Sequence, residues 1–259
     1  MRYKLTLEYA GTRYSGWQRQ TNARTVQGEL ETAIAEATGT RDFEFQGAGR
    51  TDAGVHALMQ VAHLDARTTL PPETLHRRIN DLLPSDIHVI ALVRAAHRFH
   101  ARHAATARSY LYQVSRRRTA FAKPFVWWVK EPLDIARMQE AAAHFSGMHD
   151  FRAFSDDDPE EKSTSVLIDE VTIGEDGALV LIRVTGSHFL WKMVRRMAGV
   201  MVEIGRGALA VSSVDEFLRR PSGVPARLTA PASGLFLERV FYEGDPPPGA
   251  LVAAVPVRC

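Results

Sequence analysis

Alternation of apolar and polar side chains predicts a strand over residues 3–9, and the spacing then changes to that of an amphipathic helix over 26–37. Phe43, Phe45 and Gly47 read as a strand running out, and a strand-like pattern resumes over 56–65. A helix over 72–83 and a strand over 86–93 follow. The later part of the chain repeats the mixture, with strands over 107–115, 166–173 and 178–185, helices over 134–145, 188–204 and 212–220, and a last strand over 235–242. These elements predict an α+β protein in two halves, 1–105 and 106–245, dividing near residue 105, with no readable internal repeat. The Pro-rich stretch 246–259 is expected to be a loose tail.

At about 100° per residue, the helix predicted over 188–204 has two apolar groups. Leu190, Met193, Val194, Met197, Met201 and Ile204 form the main stripe, and Lys192, Arg196, Gly199 and Glu203 occupy the opposite side. Arg195 falls between that side and a second apolar patch of Trp191, Ala198 and Val202. Arg195 is therefore expected to be half-buried and to need an anionic partner, whereas Arg196 is expected to face solvent.

With 259 residues, 45% hydrophobic and 24% charged, the chain can bury one large or two moderate cores. It contains no run of eighteen apolar residues, and Met1-Arg2-Tyr3-Lys4-Leu5-Thr6 lacks the apolar core of a signal peptide, so a cytoplasmic location is expected. The single cysteine, Cys259, excludes an internal disulfide and a cysteine cluster for zinc.

A net charge of +2 is small for a nucleic-acid binder, but the charges are segregated. From Arg94 to Arg118 there are seven arginines, three histidines and no Asp or Glu, whereas Asp156-Asp157-Asp158-Pro159-Glu160-Glu161 places five acids in six positions. Arginines interleaved with Phe99, Tyr110 and Tyr112 suit RNA, since guanidinium groups bind phosphates and aromatic faces stack on unpaired bases. A solvated basic face is the alternative. The acidic run reads as an exposed loop without assigned function. His97, His100 and His103 recur every three residues, whereas metal-binding histidines on a helix usually sit four apart with other ligands near. RNA contact or plain surface is expected there, and no metal.

Chemistry is concentrated in Gly49-Arg50-Thr51-Asp52-Ala53-Gly54-Val55-His56-Ala57, which places a carboxylate and a guanidinium on a glycine-flanked loop between strands. Gly49 and Gly54 are expected to take backbone conformations closed to other residues and to leave room for a large ligand. Arg50 would favour the ionised form of Asp52, as a nucleophile requires, and could also bind an RNA phosphate. A structural turn with a salt bridge is the commoner outcome for such a loop. Nucleotide binding is disfavoured, because glycines at 47, 49 and 54 do not have the dinucleotide spacing and no Gly-Lys-Ser/Thr follows.

This segment resembles the signature of the tRNA pseudouridine synthase A family. Further blocks in the same order are similar to that family: Leu7-Glu8-Tyr9-Ala10-Gly11-Thr12 with Gly16-Trp17-Gln18-Arg19-Gln20, Phe99-His100-Ala101-Arg102, Thr106 to Tyr112, Phe189 to Arg196, and Thr229 to Leu237. The family usually has Asp where Ala10 stands, and an arginine soon after the Ser-Thr that falls here within Lys162-Ser163-Thr164-Ser165-Val166-Leu167.

The resemblance implies a pseudouridine synthase fold, with two halves sharing a continuous, mainly antiparallel sheet and an active-site cleft between them. It implies isomerisation of uridine at positions 38, 39 and 40 of the tRNA anticodon arm, by a homodimer, without cofactor or metal. Asp52 would be the nucleophile, attacking C1′ or C6, or on a glycal route the base at C2′; Tyr110 would stack on the uracil and assist C5 deprotonation, and Arg195 would pair with Asp52. Leu235 would close the pocket, Arg50 would help to extrude the nucleotide, and Arg102 and Arg108 would contact RNA. Rival readings are a related synthase acting on other RNA sites, a non-catalytic RNA-binding module in which Asp52 is dispensable, and a phosphate-binding enzyme.

Overall fold

Tyr3, Leu5, Leu7 and Tyr9 are buried while the residues between them are more exposed, so the alternation at the start of the chain becomes strand β1 (Arg2–Tyr9) with one face in the core. The structure, a computed structural model, describes residues 1–161 and 163–258. The chain separates into one unit of Met1–Thr106 with Phe236–Asp245 and a second of Ala107–Leu235 with Pro246–Cys259.

In the first unit β1 pairs antiparallel with both β3 (His56–Ala66) and β4 (Ile87–Arg94), and β2 (Phe43–Gly47) pairs antiparallel with β3. Helix α1 (Val26–Thr38) begins where the Thr25 hydroxyl accepts a hydrogen bond from the Gly28 N–H, and ends at Gly39 in the left-handed conformation with φ of 73°. It buries Val26, Leu30, Ala33, Ile34 and Ala37. Helix α2 (Pro72–Leu82) opens on a proline whose missing N–H would have had no helical partner, and it buries Leu75 and Ile79. Asn80 fastens it to β4, donating to the Val89 carbonyl at 2.9 Å and accepting from the Val89 N–H at 2.8 Å. Strand β10 (Leu235–Tyr242) joins this unit through a short parallel pairing, Phe236 and Leu237 beside His56 and Ala57 of β3.

In the second unit the strands run β5 (Ala105–Ser115), β9 (Leu179–Gly186), β8 (Ser165–Asp176) and β7 (Gly147–Asp150), each antiparallel to the next. The two-residue β6 (Trp127–Trp128) adds to β5 in parallel. Helices α3 (Ile135–Ala143), α4 (Met193–Gly205), α5 (Ser213–Arg219) and α6 (Val224–Arg227) complete the unit. The fold is thus mixed α and β on mainly antiparallel sheet, as expected.

Several expectations are corrected. Helix α4 starts at Met193 rather than 188, because Lys192 adopts φ of 63° and breaks the helical path; Trp191 lies outside the helix and is exposed. Arg196 is buried rather than solvent-facing. The side of α4 expected to face water is covered: a Cβ on Gly199 would stand 1.7 Å from the Leu228 carbonyl oxygen. Residues 246–258 are not a loose tail. Arg183 donates to the carbonyls of Gly249 and Ala250, the Ala254 N–H donates to Gln113, and Val257 is buried. The last strand belongs with the first unit, not with the C-terminal half. Among the described residues no helix is long and apolar enough to cross a membrane.

Candidate active site

Asp52 sits in the loop between β2 and β3, and the loop is built by the segment that follows β1. The Trp17 N–H donates to the Thr51 carbonyl at 3.0 Å, and the Gly54 N–H donates to the Tyr14 carbonyl at 3.3 Å. Thr51 is buried, its hydroxyl paired with the Tyr9 hydroxyl at 2.8 Å. The Gly11 N–H donates to His56 Nδ1 at 3.0 Å, and the His56 ring stacks on Phe236 with centroids 4.8 Å apart. The turn closes on itself through the Val55 N–H and the Asp52 carbonyl, 3.1 Å apart.

Glycines make this docking possible. A Cβ on Gly11 would stand 1.9 Å from the Val55 oxygen, and one on Gly16, whose φ is 93°, 2.6 Å from the Thr51 oxygen. Gly54 has φ of 78°, in agreement with the expectation, but Gly49 does not adopt a positive φ and a Cβ there would meet nothing within 4 Å. The special backbone conformation expected of Gly49 is therefore corrected, whereas the open space beside it is in line with the room expected there; its carbonyl accepts from Gln60 Nε2 at 3.1 Å. Burial of Thr51 and Val55 on either side leaves Asp52 half-buried, with Arg50 exposed beside it.

The second unit carries most of the remaining residues. Tyr110 on β5 is half-buried and meets Phe189 edge to face at 5.0 Å and 77°. Tyr112 points the same way along the strand but is fully buried, and its hydroxyl donates to the Pro231 carbonyl at 2.7 Å. It is a core residue, not the RNA-stacking face expected of it. Burial pushes its hydroxyl well above the usual phenol range, with the Arg195 charge pulling the other way. Arg195 is half-buried as expected, its Nε donating to the Ala230 carbonyl at 2.7 Å while the Ala230 N–H returns to the Arg195 carbonyl at 3.1 Å. Leu235 is buried next to Gly234, where a Cβ would stand 2.7 Å from the Tyr112 ring. Arg108 is half-buried with Nη1 on the Ser187 carbonyl at 2.8 Å, and Arg102, in the first unit, is exposed.

One further expectation changes. His100 is half-buried, its ring 4.6 Å from that of the fully buried His63 and 4.2 Å from His103, both pairs tilted, so this part of the histidine run is a cluster of rings rather than a plain surface. The acidic run is the exposed loop expected, and within it Asp156 accepts from Lys192 at 2.6 Å and pairs with Arg196. Sequence reasoning missed Tyr9, Gly11, Gly16 and Thr51 as supports of the Asp52 loop. The opening motif's glycines were the available signal, but their contacts lie forty or so residues away.

The family model described as tRNA pseudouridine synthase matches residues 6–103 and 141–243. The protein is thus an isomerase of the pseudouridine synthase class. A protein of Myxococcus xanthus described as tRNA pseudouridine synthase A is 43% identical over 249 residues, covering 95% of this chain and 94% of that one. One of Pelobacter propionicus with the same description is 42% identical, covering 92% and 98%. A Bacillus anthracis protein described as tRNA pseudouridine synthase A 2 is 38% identical, covering 93% and 99%. The chain belongs to the tRNA pseudouridine synthase A family.

Proposed function

We propose that this enzyme isomerises uridine to pseudouridine at positions 38, 39 and 40 of the tRNA anticodon arm, in the cytoplasm and as a homodimer, with Asp52 as the nucleophile. The observation that supports it most is the construction of the Asp52 loop: buried neighbours and glycine-mediated docking hold a half-buried carboxylate in one place, as a preorganised nucleophile requires. The reaction breaks the N1–C1′ bond, turns the detached uracil, joins C5 to C1′ and removes the C5 proton. It is redox-neutral. Asp52 attacks the nucleotide and is released when the new bond forms. Tyr110 offers a partly exposed ring for stacking and a hydroxyl for the C5 proton, and Arg195 supplies positive charge to the reacting groups. Leu235 excludes water from the pocket, while Arg50, Arg102 and Arg108 bind the RNA backbone, Arg50 also favouring extrusion of the target nucleotide.

The test is to incubate the purified protein with unmodified tRNA transcript and map pseudouridine at single-nucleotide resolution, with Asp52→Asn alongside. Signal at positions 38 to 40 that disappears in the variant, while tRNA binding persists, is the expected result. Turnover by Asp52→Asn within about tenfold of wild type would remove Asp52 as nucleophile, and signal elsewhere in the tRNA would move the substrate site.

A further inference from the structure

Residues 155–157 are bound to the turn that precedes α4. The Trp191 N–H donates to Asp157 Oδ2 at 2.8 Å, the Asp156 N–H to the Trp191 carbonyl at 3.4 Å, and Lys192 Nζ to Asp156 Oδ2 at 2.6 Å, while Asp156 Oδ1 pairs with Arg196 Nη2. Ser155 closes the segment on itself through its hydroxyl and the Asp157 carboxylate, 3.1 Å apart. Two features make this more than a surface salt bridge. Lys192 is the one non-glycine residue with a positive φ among the described residues, and a side-chain-bearing residue stays in that region only when its surroundings over-determine it. Arg196 is only 4% exposed and its Nε has no hydrogen-bond partner among the described residues, so its charge depends on Asp156.

Arg195 lies between these two anchored positions and the Ala230 backbone. One side of its turn is fixed by Lys192 and Arg196 on Asp156, and its own Nε is fixed on the Ala230 carbonyl. We propose that Asp156 is a positioning residue for the isomerisation, locking the strained turn and the first turn of α4 and thereby setting the direction of the Arg195 guanidinium. The inference rests on the reading that Arg195 serves the reaction.

The experiment compares single-turnover rates on unmodified tRNA transcript, tRNA affinity and thermal stability for wild type, Asp156→Asn, Asp156→Glu, Lys192→Gln and Arg195→Ala. Asp156→Asn is expected to slow the reaction about tenfold or more, since a small misplacement of a catalytic group has that effect, with tRNA affinity changed less than about threefold. Asp156→Glu restores most of the rate by reaching the same two cations. Lys192→Gln, which keeps the Arg196 pair, falls between wild type and Asp156→Asn, and it carries the test alone if Asp156→Asn does not fold. A wild-type rate for Asp156→Asn, or for Lys192→Gln when that variant carries the test, overturns the proposal. So does a slowing that Asp156→Glu fails to relieve and that follows lost thermal stability across the series. If Arg195→Ala is itself as fast as wild type, the underlying reading of Arg195 is wrong; if it is slow while Asp156→Asn is fast, only the positioning role fails.

Discussion

Thr51 determines what Asp52 can do. Its side chain is turned into the core toward Tyr9, and its carbonyl is held by Trp17, so the next residue is carried outward on a segment with little freedom. Thr51→Val keeps the shape and removes the hydroxyl, leaving the Tyr9 hydroxyl without that partner. We expect a loss of about 1 kcal/mol, measurable by denaturant titration, together with slower catalysis at unchanged tRNA affinity. Tyr110→Phe keeps the ring and should slow the reaction less than Asp52→Asn if stacking is the larger part of its role. Equal loss in single-turnover assays would count against that division. The Asp52 loop was legible as a glycine-flanked connection between strands because the motif is local, nine consecutive residues. Its supports were not, because Tyr9 and Thr51 meet only after β1 and β3 have paired.

Helix α4 shows how an element's neighbours override its own pattern. The spacing placed Lys192, Arg196 and Gly199 on a water-facing side, yet residues 228–230 lie against Gly199 and Asp156 reaches Arg196 from forty positions upstream. A helical wheel registers angles around one axis and contains nothing about what another segment covers. Gly199→Ala would put a methyl 1.7 Å from the Leu228 oxygen, and we expect destabilisation of about 1–3 kcal/mol from the forced backbone shift. The same shift moves Ala230, the acceptor of Arg195, so activity should fall further than the lost stability accounts for. Thermal melts with single-turnover rates below the melting range check both parts. The half-burial of Arg195 was legible because it follows from position on the helix alone.

Across the whole molecule the charges set the dependence on pH and salt. Burial holds the His63 and His100 imidazoles below their ordinary value of 6.5, with neighbouring positive groups adding to the effect. The unfolded chain therefore takes up protons near 6.5 that the folded histidines refuse, so their contribution to stability is complete above 6.5 and is lost as pH falls through the folded values. Hydrogen bonds from Arg2 to Asp65 and from Lys192 to Asp156 hold those carboxyls below 3.8; their contribution is present above 3.8 and disappears below it. Melting temperature against pH should accordingly decline in two steps, the first beginning near 6.5. Arg117 and Arg118 are exposed, with the Arg118 guanidinium 5.9 Å from the Trp128 ring. Replacing both by alanine should weaken tRNA binding and reduce the slope of log affinity against log salt by about 0.7–0.9 for each phosphate contact removed; an unchanged slope would place the RNA elsewhere. The sequence by itself determined the order and type of the main elements, because apolar periodicity is a property of consecutive residues. It also determined the family and the Asp52 motif, because each motif is a short run of consecutive residues and the motifs follow one another in order. Only the tertiary structure decided which charges are internal, how the Asp52 loop is held, and that residues 246–258 pack on β5 and β9, because each depends on pairings between residues tens to more than a hundred positions apart.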